Sequence, residues 1–151
     1  MTQRQRPRPP ARIMRAGEAS NLELIGEICR AAVEALPLVS WPASLPASDA
    51  PSLVHRWLRD HSQYKEEGAL QVVRLPRALV VQRLHDCKSS AVFAASLLRA
   101  AGYPVALRFV KQPERPWWSH VYVMAGGLAV DPLLPLGAEC DRTARFDYHL
   151  P

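Results

Sequence analysis

The sequence predicts an α+β fold, in which helices come first and a small antiparallel sheet follows. Between residues 20 and 102 the apolar side chains recur at the three- and four-residue spacing of amphipathic helices. From Pro104 onward the period changes to two, which is typical of strands with one buried face. The pair Gly126-Gly127 separates two such strands and favours a tight hairpin. Helices segregated from antiparallel strands are the α+β pattern.

Composition limits the class of protein. The chain has 151 residues, of which 48% are hydrophobic and 22% charged, so it can form one core without disulfides or a structural metal. No window approaches the roughly 18 consecutive apolar residues of a membrane span, and we expect no membrane association. Three cysteines without Cys-x-x-Cys spacing favour reduced thiols over a disulfide framework or a thiolate zinc site. We therefore expect a cytoplasmic protein.

The N-terminal residues 1–16 differ from the rest of the chain. The formal net charge is +5, and five arginines within 1–16 account for all of it. Together with three prolines they predict a basic arm with little intrinsic structure, followed by one domain over residues 17–151. The arm is interpreted either as a solubilising tail or as a segment that docks on an acidic partner or an assembly. Because the body is neutral, we expect no nucleic-acid binding beyond weak, salt-sensitive attraction.

The first predicted helix begins at a capping box formed by Ser20 and Glu23 and ends at Pro37. Cys29 lies on its apolar stripe, and we interpret it as a small buried hydrophobe. A second helix is predicted from a Ser52 cap to about residue 64, and a third begins after Pro76. We expect three histidines to lie on the surface or at caps: His55, His61 and His149. Cys140 lies in a polar tail, and we expect its thiol to be exposed.

Residues 86–102 form the clearest predicted helix, with Asp86 as N-cap and Gly102 as C-terminal stop. Cys87 then falls in the first turn, where unpaired backbone N–H groups and the helix dipole favour an anion such as a thiolate. In the predicted hairpin Tyr122 stands opposite Asp131, so His120 becomes a diagonal neighbour of Asp131 on the same face. Packing of that face on the start of the cysteine helix would complete a Cys-His-Asp triad.

Several motifs resemble those of the transglutaminase-like cysteine protease superfamily, in its bacterial and prophage members. They are His-Asp-Cys at 85–87, a small-residue helix ending Arg-Ala-Ala-Gly-Tyr-Pro at 99–104, Ser-His-Val-Tyr-Val at 119–123 and Val-Asp-Pro at 130–132. The resemblance covers about residues 52–137. It implies a papain-like core whose nucleophile-bearing helix packs on a small antiparallel sheet. It also implies Cys87 as nucleophile, His120 as base and Asp131 as third member, with no metal or organic cofactor.

The chain departs from these relatives beside the nucleophile. Many of them have Gly-Asp-Cys-Asp-Asp, whereas here His85 replaces the glycine and Lys88 replaces an acid. We expect His85 to crowd the cleft and Lys88 to favour the thiolate. A metal site built from Cys87, His120, Asp131 and His85 is the alternative by ligand type, although catalytic zinc sites usually take other ligand sets.

An acyl transfer also needs donors for the oxyanion. The backbone N–H of Cys87 is the first candidate. Gln82 is a further candidate for the oxyanion site, and so are Trp117 and Trp118, because two adjacent tryptophans in a short loop cannot both face the core.

Two functions follow from these observations. One is thiol-dependent acyl transfer on a peptide or protein substrate, with release to water in preference to an amine. The other is a non-catalytic transglutaminase-like module, a component of a phage or prophage particle docked through residues 1–16, since a fold can persist without its chemistry.

Overall fold

The structure, a computed structural model, describes residues 11–15, 21–66 and 70–151 and has a mixed α+β fold. The helices are α1 (Asn21–Ala35), α2 (Ala50–His61), α3 (Pro76–Gln82) and α4 (Cys87–Ala100). The strands are β1 (Ala11–Arg15), β2 (Gln63–Tyr64), β3 (Leu70–Arg74), β4 (Leu84–His85), β5 (Val105–Lys111), β6 (His120–Ala125), β7 (Leu128–Val130) and β8 (Ala144–His149). None of the described helices is long and apolar enough to cross a membrane.

An antiparallel sheet with the strand order β7-β6-β5-β8 forms one side of the molecule. Its β6–β7 hairpin has the predicted register, with Ala125 opposite Leu128. Gly126 and Gly127 turn the chain with φ angles of 56° and 84°, a region that glycine enters without steric cost. Strand β8 pairs with β5 and was not expected from the sequence.

Helix α4 lies at the centre of the fold. Residues 88–96 are all buried, and the helix packs on the other three helices as well as on β5 and β6. Alanines 91, 94 and 95 allow the close approach that this position requires. The helix bounds and the Asp86 cap agree with the prediction from sequence.

The two faces of β6 have different neighbours. Val121 and Val123 belong to the same core cluster as α4. Tyr122 belongs to a second, smaller cluster on the other face, against which Cys140 packs. Cys140 is therefore half-buried rather than exposed, and burial raises the pKa of its thiol. Cys29 is likewise partly buried against the core, which raises the pKa of its thiol to about 11.

Both ends of α2 and the N-terminal strand differ from the prediction. Helix α2 ends at His61 rather than at about residue 64, and Gln63–Tyr64 form β2. Helix α2 begins at Ala50 with Pro51 in its first turn, where a missing N–H costs nothing. Ser52 is inside the helix and its hydroxyl donates to the carbonyl of Asp49 at 3.0 Å. Within the predicted arm, Ala11–Arg15 form β1 and pair antiparallel with β3; residues 1–10 and 16–20, which include the Ser20 cap, lie outside the described residues.

Candidate functional site

The start of α4 presents Cys87 as its first residue. The Asp86 carboxylate caps the helix, since its Oδ1 accepts the backbone N–H of Ser89 at 3.0 Å. Its Oδ2 pairs with the ammonium of Lys88, and both side chains are buried. The N–H groups of Cys87 and Lys88 have no intrahelical acceptor at this position. The helix end thus combines a half-buried thiol with backbone donors and the positive end of the dipole.

The β6–β7 hairpin brings His120 and Asp131 together. His120 Nε2 donates to Asp131 Oδ2 over 2.6 Å, and the carboxylate is only 1% exposed. The second oxygen, Asp131 Oδ1, accepts the backbone N–H of Leu133 at 3.1 Å. This is the diagonal pair that the hairpin register predicts.

Cys87 reaches the same imidazole. Burial by itself lowers the pKa of His120, but hydrogen bonds with Asp131 and Cys87 and the negative charges of both outweigh burial and raise the pKa to about 10. Because Nε2 is bonded to Asp131, Nδ1 is the ring nitrogen that remains for Cys87. His120 lies on the face of β6 opposite to α4, next to Tyr122. The contact therefore forms between the first residue of α4 and the first residue of β6, rather than by packing of that face on the helix.

His55 holds the backbone of Asp131 in place. It is 7% exposed, and its Nε2 lies 3.1 Å from the carbonyl oxygen of Asp131 and 2.7 Å from that of Leu134. Since both partners are acceptors, Nε2 carries a hydrogen. The expectation of a surface histidine was wrong: His55 fastens the turn after β7 to α2.

Tyr64 is a residue of the site that the sequence did not reveal. The short parallel pair β2–β4 sets it opposite His85, two positions before Cys87, and the two rings meet edge-on at 5.5 Å. Burial raises the pKa of Tyr64 well above its usual range, and the nearby charges of Cys87, Asp86 and Asp131 raise it further. The phenol is therefore a neutral hydroxyl donor beside the thiol.

His85 is buried beside the end of α2. It is 2% exposed, and its Nδ1 donates to Ser62 Oγ at 2.7 Å while that hydroxyl donates to the Leu58 carbonyl. Burial lowers the pKa of His85, against the opposing charge of Asp86, so the ring is neutral at pH 7.

Three residues were predicted from the sequence as further candidates for the oxyanion site: Gln82, Trp117 and Trp118. Gln82 is exposed at the end of α3, where it accepts a hydrogen bond from Arg74 Nε at 2.7 Å. Trp118 packs edge-on against Phe146 at 4.8 Å, and the ammonium of Lys111 lies 4.9 Å above its ring. Trp117 is 51% exposed.

A network of charged side chains connects the segment after β7 to the sheet. Arg108 forms a two-point contact with Asp147, at 2.8 and 2.9 Å, and also donates to Glu139 at 2.8 Å. The hydroxyl of Tyr122 donates to the same Glu139 oxygen at 2.7 Å. These bonds hold the residues on either side of the Asp131 turn in place.

The described ranges hold no group of three His, Cys, Asp or Glu side chains arranged to bind a metal ion. Comparisons of the chain with protein-family models, curated proteins and solved structures give no match.

Proposed function

We propose that the protein is a cysteine-dependent acyl transferase of the transglutaminase-like type with a papain-like core, and that it hydrolyses a peptide or amide bond. One observation carries the proposal: a continuous chain of contacts from Cys87 through the imidazole of His120 to the buried carboxylate of Asp131. The order of nucleophile, base and orienting carboxylate along this chain is that of a nucleophilic triad.

The proposed reaction begins at the sulfur of Cys87. The Cys87 thiolate attacks the carbonyl carbon and forms a C–S bond, and the carbonyl oxygen becomes an oxyanion. The N–H of Cys87 and the hydroxyl of Tyr64 are its donors. His120 then gives its proton to the leaving nitrogen, the C–N bond breaks and a thioester remains. Water attacks the thioester, His120 takes the proton from that water, and thiolate and acid are released.

The test uses a substrate that makes no demand on specificity, p-nitrophenyl acetate. We expect a burst of about one nitrophenolate per chain and an acetyl thioester on Cys87 by peptide mass spectrometry. Cys87→Ala should remove both, whereas Cys140→Ala, which removes another half-buried thiol, should remove neither. A wild-type protein with no burst, or a burst that persists in Cys87→Ala, contradicts the proposal. Added glycine methyl ester separates the two acceptors, because an amine transferase would convert it to the N-acetyl product.

A thiol probe tests activation independently of any substrate. At pH 7 we expect iodoacetamide to alkylate Cys87 faster than Cys29 or Cys140, and His120→Ala to slow that reaction roughly tenfold or more. Equal rates in the two proteins would contradict an activated pair.

The non-catalytic alternative stays a prediction. It requires the basic arm, residues 1–16, to dock on a larger assembly, and a deletion limited to residues 1–10 removes three of its five arginines while it leaves β1 (Ala11–Arg15) in place. Under this alternative the deletion abolishes co-sedimentation with the particle and Cys87→Ala does not. Under the enzymatic proposal the deletion leaves the nitrophenolate burst unchanged.

A further inference from the structure

A concave groove of about 650 Å³ lies among the helices, between the loop that follows α1 and the helices α2, α3 and α4. Its α4 wall is formed by Phe93 and Leu97. At 1.5 Å per residue, Phe93 lies roughly 9 Å along the helix from Cys87, so the groove is separate from the thiol. Its volume is within the roughly 300–1,000 Å³ of small-molecule sites. Its other apolar walls include Leu38, Trp41, Leu45, Leu53, Trp57 and Val80.

The apolar rim of the groove is open to solvent. Leu38 and Val81 are 65% and 67% exposed, and Val80 is 46% exposed. Trp57, in the wall, stacks on Phe93 with ring centroids 5.0 Å apart. Exposed apolar side chains gathered around a concavity are typical of a binding surface rather than of ordinary surface scatter.

The polar groups of the groove indicate the charge of its occupant. The indole N–H of Trp41 is already used, since it donates to the Leu45 carbonyl at 3.0 Å. Arg77 is the one charged residue in the lining, and within the described part of the chain its guanidinium takes part in no hydrogen bond or ion pair. An apolar trough with one uncompensated cation complements a molecule with an apolar body and one anionic end.

We propose that this groove binds a single-chain amphiphilic carboxylate, with the alkyl chain between Trp41 and Trp57 and the carboxylate on Arg77. The site is independent of the acyl-transfer proposal, because Cys87 does not line it.

The probe is dodecanoate, titrated below its micellar concentration and followed by calorimetry and by tryptophan fluorescence, to which Trp41 and Trp57 contribute. We expect saturable binding of one molecule per chain. Arg77→Gln should weaken the affinity about tenfold, the worth of one charge-assisted hydrogen bond. Dodecanol should bind the wild type about as weakly as dodecanoate binds Arg77→Gln. Cys87→Ala should bind dodecanoate like the wild type.

Matched variants separate a site from general adsorption. Val80→Asp and Val81→Asp place a negative charge on the exposed rim and should abolish binding. Leu22→Asp introduces the same charge at a position that is 69% exposed on α1, and Arg56→Gln removes an exposed arginine of α2 that does not line the groove; both should bind normally. Binding that does not saturate, that survives both valine variants, or that is indifferent to Arg77→Gln overturns the proposal.

Discussion

The His120 imidazole lies between the Asp131 carboxylate, at 2.6 Å, and the Cys87 sulfur. Burial opposes a charge on the ring, yet the two partners raise its pKa to about 10. In the unfolded chain the value is about 6.5. A histidine with a raised pKa stabilises the folded state fully below pH 6.5, and this contribution is lost as the pH rises from 6.5 to about 10.

We therefore predict an imidazolium that persists well above neutral pH. The Cε1 proton resonance of His120 in an NMR titration should have its midpoint near pH 10, and Asp131→Asn should move the midpoint toward 6.5. The free energy of unfolding should fall between pH 6.5 and 10 more steeply in the wild type than in His120→Gln. His149→Gln, on an exposed histidine, is the control. A wild-type midpoint near 6.5 would exclude the ion pair.

Tyr64 gives a second prediction at this scale. If its neutral hydroxyl donates to the oxyanion, Tyr64→Phe should slow acylation by p-nitrophenyl acetate roughly 100-fold, the usual cost of one such donor. The rate of Cys87 alkylation should stay within about twofold, because alkylation forms no oxyanion. Tyr148→Phe, on a half-buried tyrosine of β8, should change neither rate. Equal losses in both reactions would indicate a structural role for the phenol.

Among the secondary-structure elements, α2 is joined to the turn after β7 by hydrogen bonds of the His55 side chain. His55→Ala leaves the buried carbonyl of Asp131 and the partly buried carbonyl of Leu134 without their donor, and we predict a loss of about 2 kcal/mol in the free energy of unfolding. Because the turn carries Asp131, the His120 titration midpoint should also fall. His61→Ala, on an exposed residue of the same helix, should cost less than about 0.5 kcal/mol. A stability loss without a change in the midpoint would make His55 structural only.

The elements that could be predicted from the sequence are those with local signals. Asp86 and Gly102 define α4, and the Gly126-Gly127 turn fixes the register that pairs His120 with Asp131. The parallel pair β2–β4 has two residues in each strand, so it depends on packing and leaves no periodic pattern. The sequence therefore did not predict that Tyr64 belongs to the site.

Long-range partners account for the other differences. The acceptors of His55 lie 76 and 79 residues away, and a histidine on a helix carries no signature of a backbone partner at that distance. Strand β8 lies in a polar tail and owes its pairing to β5 and to Arg108, which neutralises Asp147. Trp118 packs against Phe146, which lies on this strand and could not be predicted as its neighbour.

At the scale of the whole molecule, the hairpin that bears His120 is supported by a charged brace, which consists of Arg108, Glu139 and Asp147. Hydrogen bonds from Arg108 lower the pKa of Asp147 against the effect of burial. Burial raises the pKa of Glu139, but bonds from Tyr122 and Arg108 lower it by more. A carboxylate with a lowered pKa stabilises the fold above its unfolded value, and this stability is lost as the pH falls through the folded pKa.

The last prediction concerns this brace. Arg108→Met should lower the free energy of unfolding at pH 7 by about 2 kcal/mol, because Asp147 loses its two-point partner and Glu139 keeps only Arg142 as a cation, at 3.6 Å. It should also flatten the loss of stability between pH 5 and 3, because Glu139 and Asp147 then titrate nearer their unfolded values. Urea denaturation at both ends of this range measures both effects, with Arg59→Met on the exposed side of α2 as control. If the two variants match, the brace adds nothing to stability, and the pairing of β5 with β6 and β8 holds the sheet without it.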